Sequence, residues 1–163
     1  MQDIYEFALE FEKENRKFYE ECSSGTNDET LKNVFKELAA EEAKHEEIVQ
    51  ALADDRNVDS VKSNINLRAK EAFDKIADNF NESDLMPEGQ VDIYKKAKEL
   101  EIKSKNFYKE HAEETDNKTV ERVFNELSEE EKKHEEILDN IITMVNRPNT
   151  WLDDAEWYHL EEY

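Results

Sequence analysis

Glu41–Ile48 reads EEAKHEEI, and Glu130–Ile137 reads EEKKHEEI. Sliding the chain over itself by 89 residues extends the match in both directions. Asp3–Leu52 then aligns with Asp92–Ile141 without a gap, and 22 of the 50 paired positions are identical. DIYEFALEFEKENRKFYEE lies over DIYKKAKELEIKSKNFYKE, and TLKNVFKELAAEEAKHEEI lies over TVERVFNELSEEEKKHEEI. Shared composition does not produce that many identities in register. The chain is a duplicated unit.

Each unit is predicted to be two helices. Tyr5, Ala8, Glu12, Asn15, Tyr19 and Cys22 recur at alternating steps of three and four, the spacing of one helix face. Leu31, Phe35, Leu38, Glu42, His45, Val49 and Leu52 do the same. Between the two stripes lies SSGTND, where Gly25 is suited to end one helix and Thr26, Asn27 or Asp28 to cap the next. So short a loop makes the pair antiparallel. The second unit repeats the plan, with EETDN as its loop.

The expected architecture is all-α, a single domain over residues 1–163 built as a four-helix bundle. It has a first hairpin over 1–54, a crossover over 55–90, a second hairpin over 91–146 and a tail helix over 147–163. Pro87 and Gly89 mark the start of the third long helix and Pro148 the end of the fourth. LRAKEAFDKIADNF, inside the crossover, reads as helix, and a crossover this long lets the second and third helices run parallel. The tail is aromatic-rich. Trp151, Trp157 and Tyr158 are expected to pack on the bundle or on a second copy of the chain, the whole being a homodimer.

Composition narrows the function. Of 163 residues 40% are charged, with two glycines and two prolines, which suits helices and leaves little material for a sheet. A net charge of -21 argues against nucleic acid and anionic membrane as partners, because both require a positive face. One cysteine, Cys22, excludes an internal disulfide framework and a thiolate-held iron or zinc. The opening MQDIYEFALEFEKEN has neither a cationic region nor an unbroken apolar run, so it is not read as a signal peptide. A reduced, cytoplasmic setting is expected.

Within the helical stripes some acids fall where apolar residues belong. Glu42 and His45 interrupt the line from Leu38 to Val49, and Glu131 and His134 the line from Leu127 to Leu138. Glu12 lies between Ala8 and Tyr19, and Glu101 between Ala97 and Tyr108. Glu41, Glu46 and Glu47 fall off the seam and are expected to face water, as are Glu130, Glu135 and Glu136. The inward set is therefore Glu12, Glu42, His45, Glu101, Glu131 and His134. An unpaired buried carboxylate costs several kcal/mol even after relaxation, and a whole domain is stable by only about 5–15 kcal/mol. The seams place no lysine or arginine near the cluster. Two divalent cations would balance four carboxylates. Glu and His three apart project side by side from a helix, and two single glutamates plus two Glu-x-x-His pairs form the ligand set of di-iron and di-manganese bundles.

At this point the chain resembles the ferritin-like di-iron carboxylate proteins, and among them the rubrerythrin-like branch. The resemblance rests on EKENRKFY and EIKSKNFY, on EAKH and EKKH, and extends to the closing TWLDDAEWYHLEEY. It implies Glu12 and Glu101 as terminal ligands, Glu42 and Glu131 as bridging ligands, and His45 and His134 on one metal each. It implies Tyr19 and Tyr108 as hydrogen-bond donors to the ligating carboxylates; as plain residues both also suit an amphipathic core. Two departures stand out. Full-length rubrerythrins carry a cysteine-rich rubredoxin module, which one cysteine cannot build, so electrons are expected from a separate donor protein. Those proteins also tend to carry a further glutamate one turn after the third-helix ligand, where this chain has Ser104, matched by Asn15.

The implied activity is that of a redox enzyme with two iron ions, reducing hydrogen peroxide or dioxygen with electrons from a rubredoxin-like donor. Iron oxidation for storage, a di-manganese centre disproportionating peroxide, and a bundle with a vestigial site are the alternatives. Cys22 reads as a core thiol, its counterpart His111 as a residue of the hairpin end, and His159 has no assigned partner.

Overall fold

Stripes of apolar residues at helical spacing, almost free of glycine and proline, leave the chain one economical way to satisfy its backbone. The computed structural model describes residues 3–80 and 90–154, and among these every regular element is a helix. They are α1 (Ile4–Gly25), α2 (Glu29–Ala53), α3 (Ile65–Asp78), α4 (Gln90–Glu114), α5 (Lys118–Asn146) and α6 (Pro148–Asp154).

Side chains with free oxygens set where three of the long helices begin. Asp3 accepts from the Tyr5 amide at 2.8 Å and Asp28 from the Leu31 amide at 2.8 Å. Asn117 accepts from the Thr119 and Val120 amides at 3.0 and 3.1 Å. Each satisfies amides that the helix itself leaves free. The end of α2 is equally definite: Asp55 takes a positive φ of 58°, and the Arg56 amide reaches back to the Ala51 carbonyl at 2.8 Å. That turn releases the chain into the crossover.

α1 packs on α2, α4 on α5, and α1 on α4, so the two hairpins meet face to face. The crossover helix α3 lies across α2 and α5. Its Phe73 meets the buried Trp151 of α6 edge-on, ring centres 6.2 Å apart. Trp151 thus packs on its own bundle. Trp157, Tyr158 and His159, with Pro87 and Gly89, lie outside the described residues.

The apolar core is divided. One cluster gathers Tyr19, Phe35, Leu38, Phe73 and Leu138 and is roofed by α3 and α6. The other gathers Ala8, Val49, Tyr108, Phe124 and Leu127. Between them along every seam stand Glu12, Glu42, His45, Glu101, Glu131 and His134, all at most 1% exposed.

Two expectations need correcting. Glu41 and Glu130 do not face water: they are 3% and 1% exposed. The crossover covers them. Arg68 of α3 reaches Glu41 at 2.9 Å. Glu130 accepts from the Ser63 amide at 2.8 Å and its hydroxyl at 2.7 Å, and pairs with Lys133 at 2.6 Å. Lys133 in turn donates to the Ser63 carbonyl at 3.1 Å. A helical wheel records the face of a helix, not what a distant segment lays over it. Of the other off-seam acids only Glu47 is exposed as expected; Glu46, Glu135 and Glu136 are half-buried, Glu46 and Glu135 under their ion pairs with Arg16 and Lys105.

Removing one partner of a buried ion pair leaves the other charge stranded. Lys133→Met is expected to destabilise the fold by about 3 kcal/mol in chemical denaturation, and Lys133→Met with Glu130→Gln by much less, because the stranded charge is gone.

Candidate metal centre

Four helices contribute to the polar slab between the two apolar clusters. α1 supplies Glu12, α2 Glu42 and His45, α4 Glu101, and α5 Glu131 and His134. Their donor atoms form two groups, each within 4.8 Å of one another. One is Glu12, Glu42, His45 and Glu131; the other is Glu101, Glu42, His134 and Glu131. Glu42 and Glu131 belong to both. All six inward residues expected from the seams come together.

The internal repeat is visible in the geometry. The rings of His45 and His134 are parallel to within 5°, with centres 5.6 Å apart. Each imidazole turns Nδ1 toward a carboxylate of the other hairpin: His45 to Glu131 at 2.6 Å, His134 to Glu42 at 2.7 Å. His45 Nδ1 also lies 3.0 Å from Glu12, and His134 Nδ1 3.4 Å from Glu101. Tyr19 donates to Glu101 at 2.6 Å and Tyr108 to Glu12 at 3.2 Å. The two tyrosines hold the two unshared glutamates from behind. Matching ties clamp each hairpin just beyond its histidine, Arg16 to Glu46 at 2.9 Å and Lys105 to Glu135 at 2.6 Å.

The electrostatics are those of a centre short of positive charge. The cations around it are committed to other acids: Arg16, Lys105, Lys133 and Arg68 all pair outside the six. Burial pushes Glu12 and Glu131 well above the ordinary carboxyl range, and Glu42 beside the first and Glu101 beside the second push further. Burial, with Glu101 and Glu131, raises Glu42 to about 7. Burial would raise Glu101 too, but its neighbours Glu131 and His134 outweigh it and hold Glu101 at about 2. Burial would depress both imidazoles; the carboxylates around them overcome it and raise them well above 6.5. Burial and the nearby carboxylates keep both tyrosines protonated, as donors.

Do these groups fit metal ions? Hydrogen bonding leaves unsatisfied a buried oxygen on Glu12, Glu42 and Glu101 and both oxygens of Glu131. His45 Nδ1 lies close to two carboxylates without an aligned hydrogen bond to either. Orphaned carboxylate oxygens and imidazole nitrogens, crowded together and fully enclosed, are the donors a divalent transition metal takes. They fit.

A family model described as Rubrerythrin matches residues 3–142. The chain belongs to the rubrerythrin family. No curated protein and no solved structure matches it. Rubrerythrins are ferritin-like, and the all-helical bundle with its buried Glu and His groups agrees with that membership. No helix among the described residues is long and apolar enough to cross a membrane.

The remaining candidates fall outside the centre. Cys22 is fully buried, and burial pushes its thiol up to about 12, so it is a core residue. His111 packs against Phe107 with ring centres 4.4 Å apart and the ring planes tilted by 54°, at the hairpin end. The structure adds a buried contact that the stripes alone did not pair, Asn15 to Ser104 at 3.3 Å. Their equal offset in the repeat was the available signal.

Protons and metal ions compete for this centre. Glu12, Glu42, Glu131 and both imidazoles bind protons more tightly in the folded state. The stability they confer is full below their unfolded values and fades as pH climbs through the folded ones, about 7 for Glu42. Glu101 has the opposite sign, but its contribution is lost only as pH falls toward about 2. Chelator-treated protein is therefore expected to melt at a higher temperature near about pH 5.5 than near about pH 8. Protein loaded with a divalent metal should show the reverse order, because ligands must shed protons to bind it.

Proposed function

We propose that this rubrerythrin-family chain is a non-haem di-iron oxidoreductase. It reduces hydrogen peroxide, or dioxygen, with electrons from a separate rubredoxin-like donor protein. The observation that carries the reading is the sharing of Glu42 and Glu131 between two four-residue groups. Two ions with common carboxylates act as one centre.

Glu12, Glu42, His45 and Glu131 would hold one ion, and Glu101, Glu42, His134 and Glu131 the other. A di-iron pair supplies two electrons at one place, the number that converts H2O2 and two protons into two waters. The protein's own share is placement and insulation. Tyr19 and Tyr108 fix the carboxylates of Glu101 and Glu12. The apolar clusters on either side keep bulk water from the slab. Four carboxylates balance two divalent ions.

The test is metal analysis and peroxide turnover on iron-loaded protein. About two irons per chain are expected from this ligand set, with peroxide loss that requires an added reductant. Peroxide loss with no reductant would indicate a di-manganese type of disproportionation, and uptake of many irons would indicate storage. Glu42→Ala and His134→Ala should each lower metal content and abolish turnover. Full metal content in both variants would overturn the ligand assignment.

A further inference from the structure

Asn15 and Ser104 are 1% and 0% exposed and touch each other across the α1–α4 interface. They are 89 residues apart, the offset of the internal repeat. A contact between equivalent positions lies on the pseudo-twofold axis relating the two hairpins. Register agrees: Tyr19 reaches Glu101 and Tyr108 reaches Glu12, so α1 and α4 run antiparallel. Asn15 and Ser104 stand midway between those two bonds, one helical turn beyond each glutamate. Glu42 and Glu131 are also equivalent positions and belong to both donor groups. They come from α2 and α5, the opposite layer of the bundle. The axis therefore has shared carboxylates on one side and the Asn15–Ser104 contact on the other.

The hydrogen bonds fix how the Asn15 amide is turned. Ser104 Oγ gives its proton to the Leu100 carbonyl at 2.9 Å. Toward Asn15 it can then only accept, so the amide presents Nδ2 to it, at 3.3 Å. Asn15 Oδ1 is left fully enclosed and without a partner. A buried carbonyl oxygen in that condition is costly. Solvation from outside is blocked, and the seam tyrosines are committed elsewhere, Tyr19 donating to Glu101 and Tyr108 to Glu12. What it lacks is a donor.

We propose that Asn15, oriented by Ser104, is a substrate-contacting residue whose Oδ1 accepts a hydrogen bond from a small O–H ligand bound on the axis of the metal centre. The ligand class is hydrogen peroxide or water. This rests on the di-iron reading above. It requires a ligand that carries its own proton, and it makes the amide a selector for protonated oxygen species over bare anions. A carboxylate at Asn15 or Ser104 would put a fifth negative charge on the axis. The neutral pair leaves the position to an exogenous ligand.

The test uses zinc-loaded protein, because zinc is redox-inert and peroxide can be titrated without turnover. Calorimetric titration with hydrogen peroxide should show binding to the natural protein, weakened about fivefold in Asn15→Leu, which keeps the volume and removes the acceptor. Ser104→Ala, a milder change that frees the amide to turn, should weaken binding in the same direction. Both variants should retain the metal content of the natural protein. A crystal structure of the zinc form should show an ordered oxygen within hydrogen-bond distance of Asn15 Oδ1, absent in Asn15→Leu. Equal peroxide affinity in natural protein and both variants would overturn the proposal and leave the metal centre standing. Loss of metal in both variants would also overturn it, making the pair a support of the ligands. Failure of the natural protein to bind any divalent metal would instead bring down the di-iron reading, and this inference with it.

Discussion

Four carboxylates enclosed in one slab of a helical bundle set the terms for everything around them. Left alone they repel, and burial removes the water that would otherwise absorb the repulsion. Protons relieve part of this, as the upward shifts of Glu12, Glu42 and Glu131 show. Two divalent ions relieve it fully. The two imidazoles, held well above 6.5 by the carboxylates around them, relieve part of it as well. Basic side chains nearby are tied to other acids, and those acids sit beside the candidate ligands in sequence: Glu41 before Glu42, Glu46 after His45, Glu130 before Glu131, Glu135 after His134. The ion pairs steady the turns that carry the candidate donors, and they tie up these lysines and arginines outside the centre.

The division of the core follows from the same constraint. A polar slab through the middle of a bundle splits its apolar packing into two ends. The end roofed by α3 and α6 carries the larger cluster, with Phe73 and Trp151 sealing it. Each end holds one of the tyrosines that reach inward, Tyr19 from the first and Tyr108 from the second. Packing at the ends thus fixes the glutamates in the middle, which links core stability to the geometry of the donor set.

Much of this was legible in the residues. The repeat and the steps of three and four determine the hairpins, and the interruption of apolar stripes by Glu42, His45 and their counterparts points inward without any coordinates. The Tyr–Glu bonds were foreseen through family resemblance and not through spacing, since a tyrosine on an apolar stripe looks like any other core residue. Glu41 and Glu130 were misplaced because their cover comes from Ser63 and Arg68, in a segment with no counterpart in the repeat. The turn of the Asn15 amide was beyond reach for a different reason. It depends on where a single serine proton goes.

Neither hairpin owns a complete donor group. Glu12, Glu42 and His45 need Glu131, and Glu101, Glu131 and His134 need Glu42. A free hairpin would have to find a twin in solution, at the mercy of dilution. Joining the copies through a crossover replaces that encounter with a high effective concentration. It also releases the two halves from identity: once fused, one copy could take arginine where the other took lysine, and asparagine where the other took serine, so an ancestral mirror could become a site with a direction.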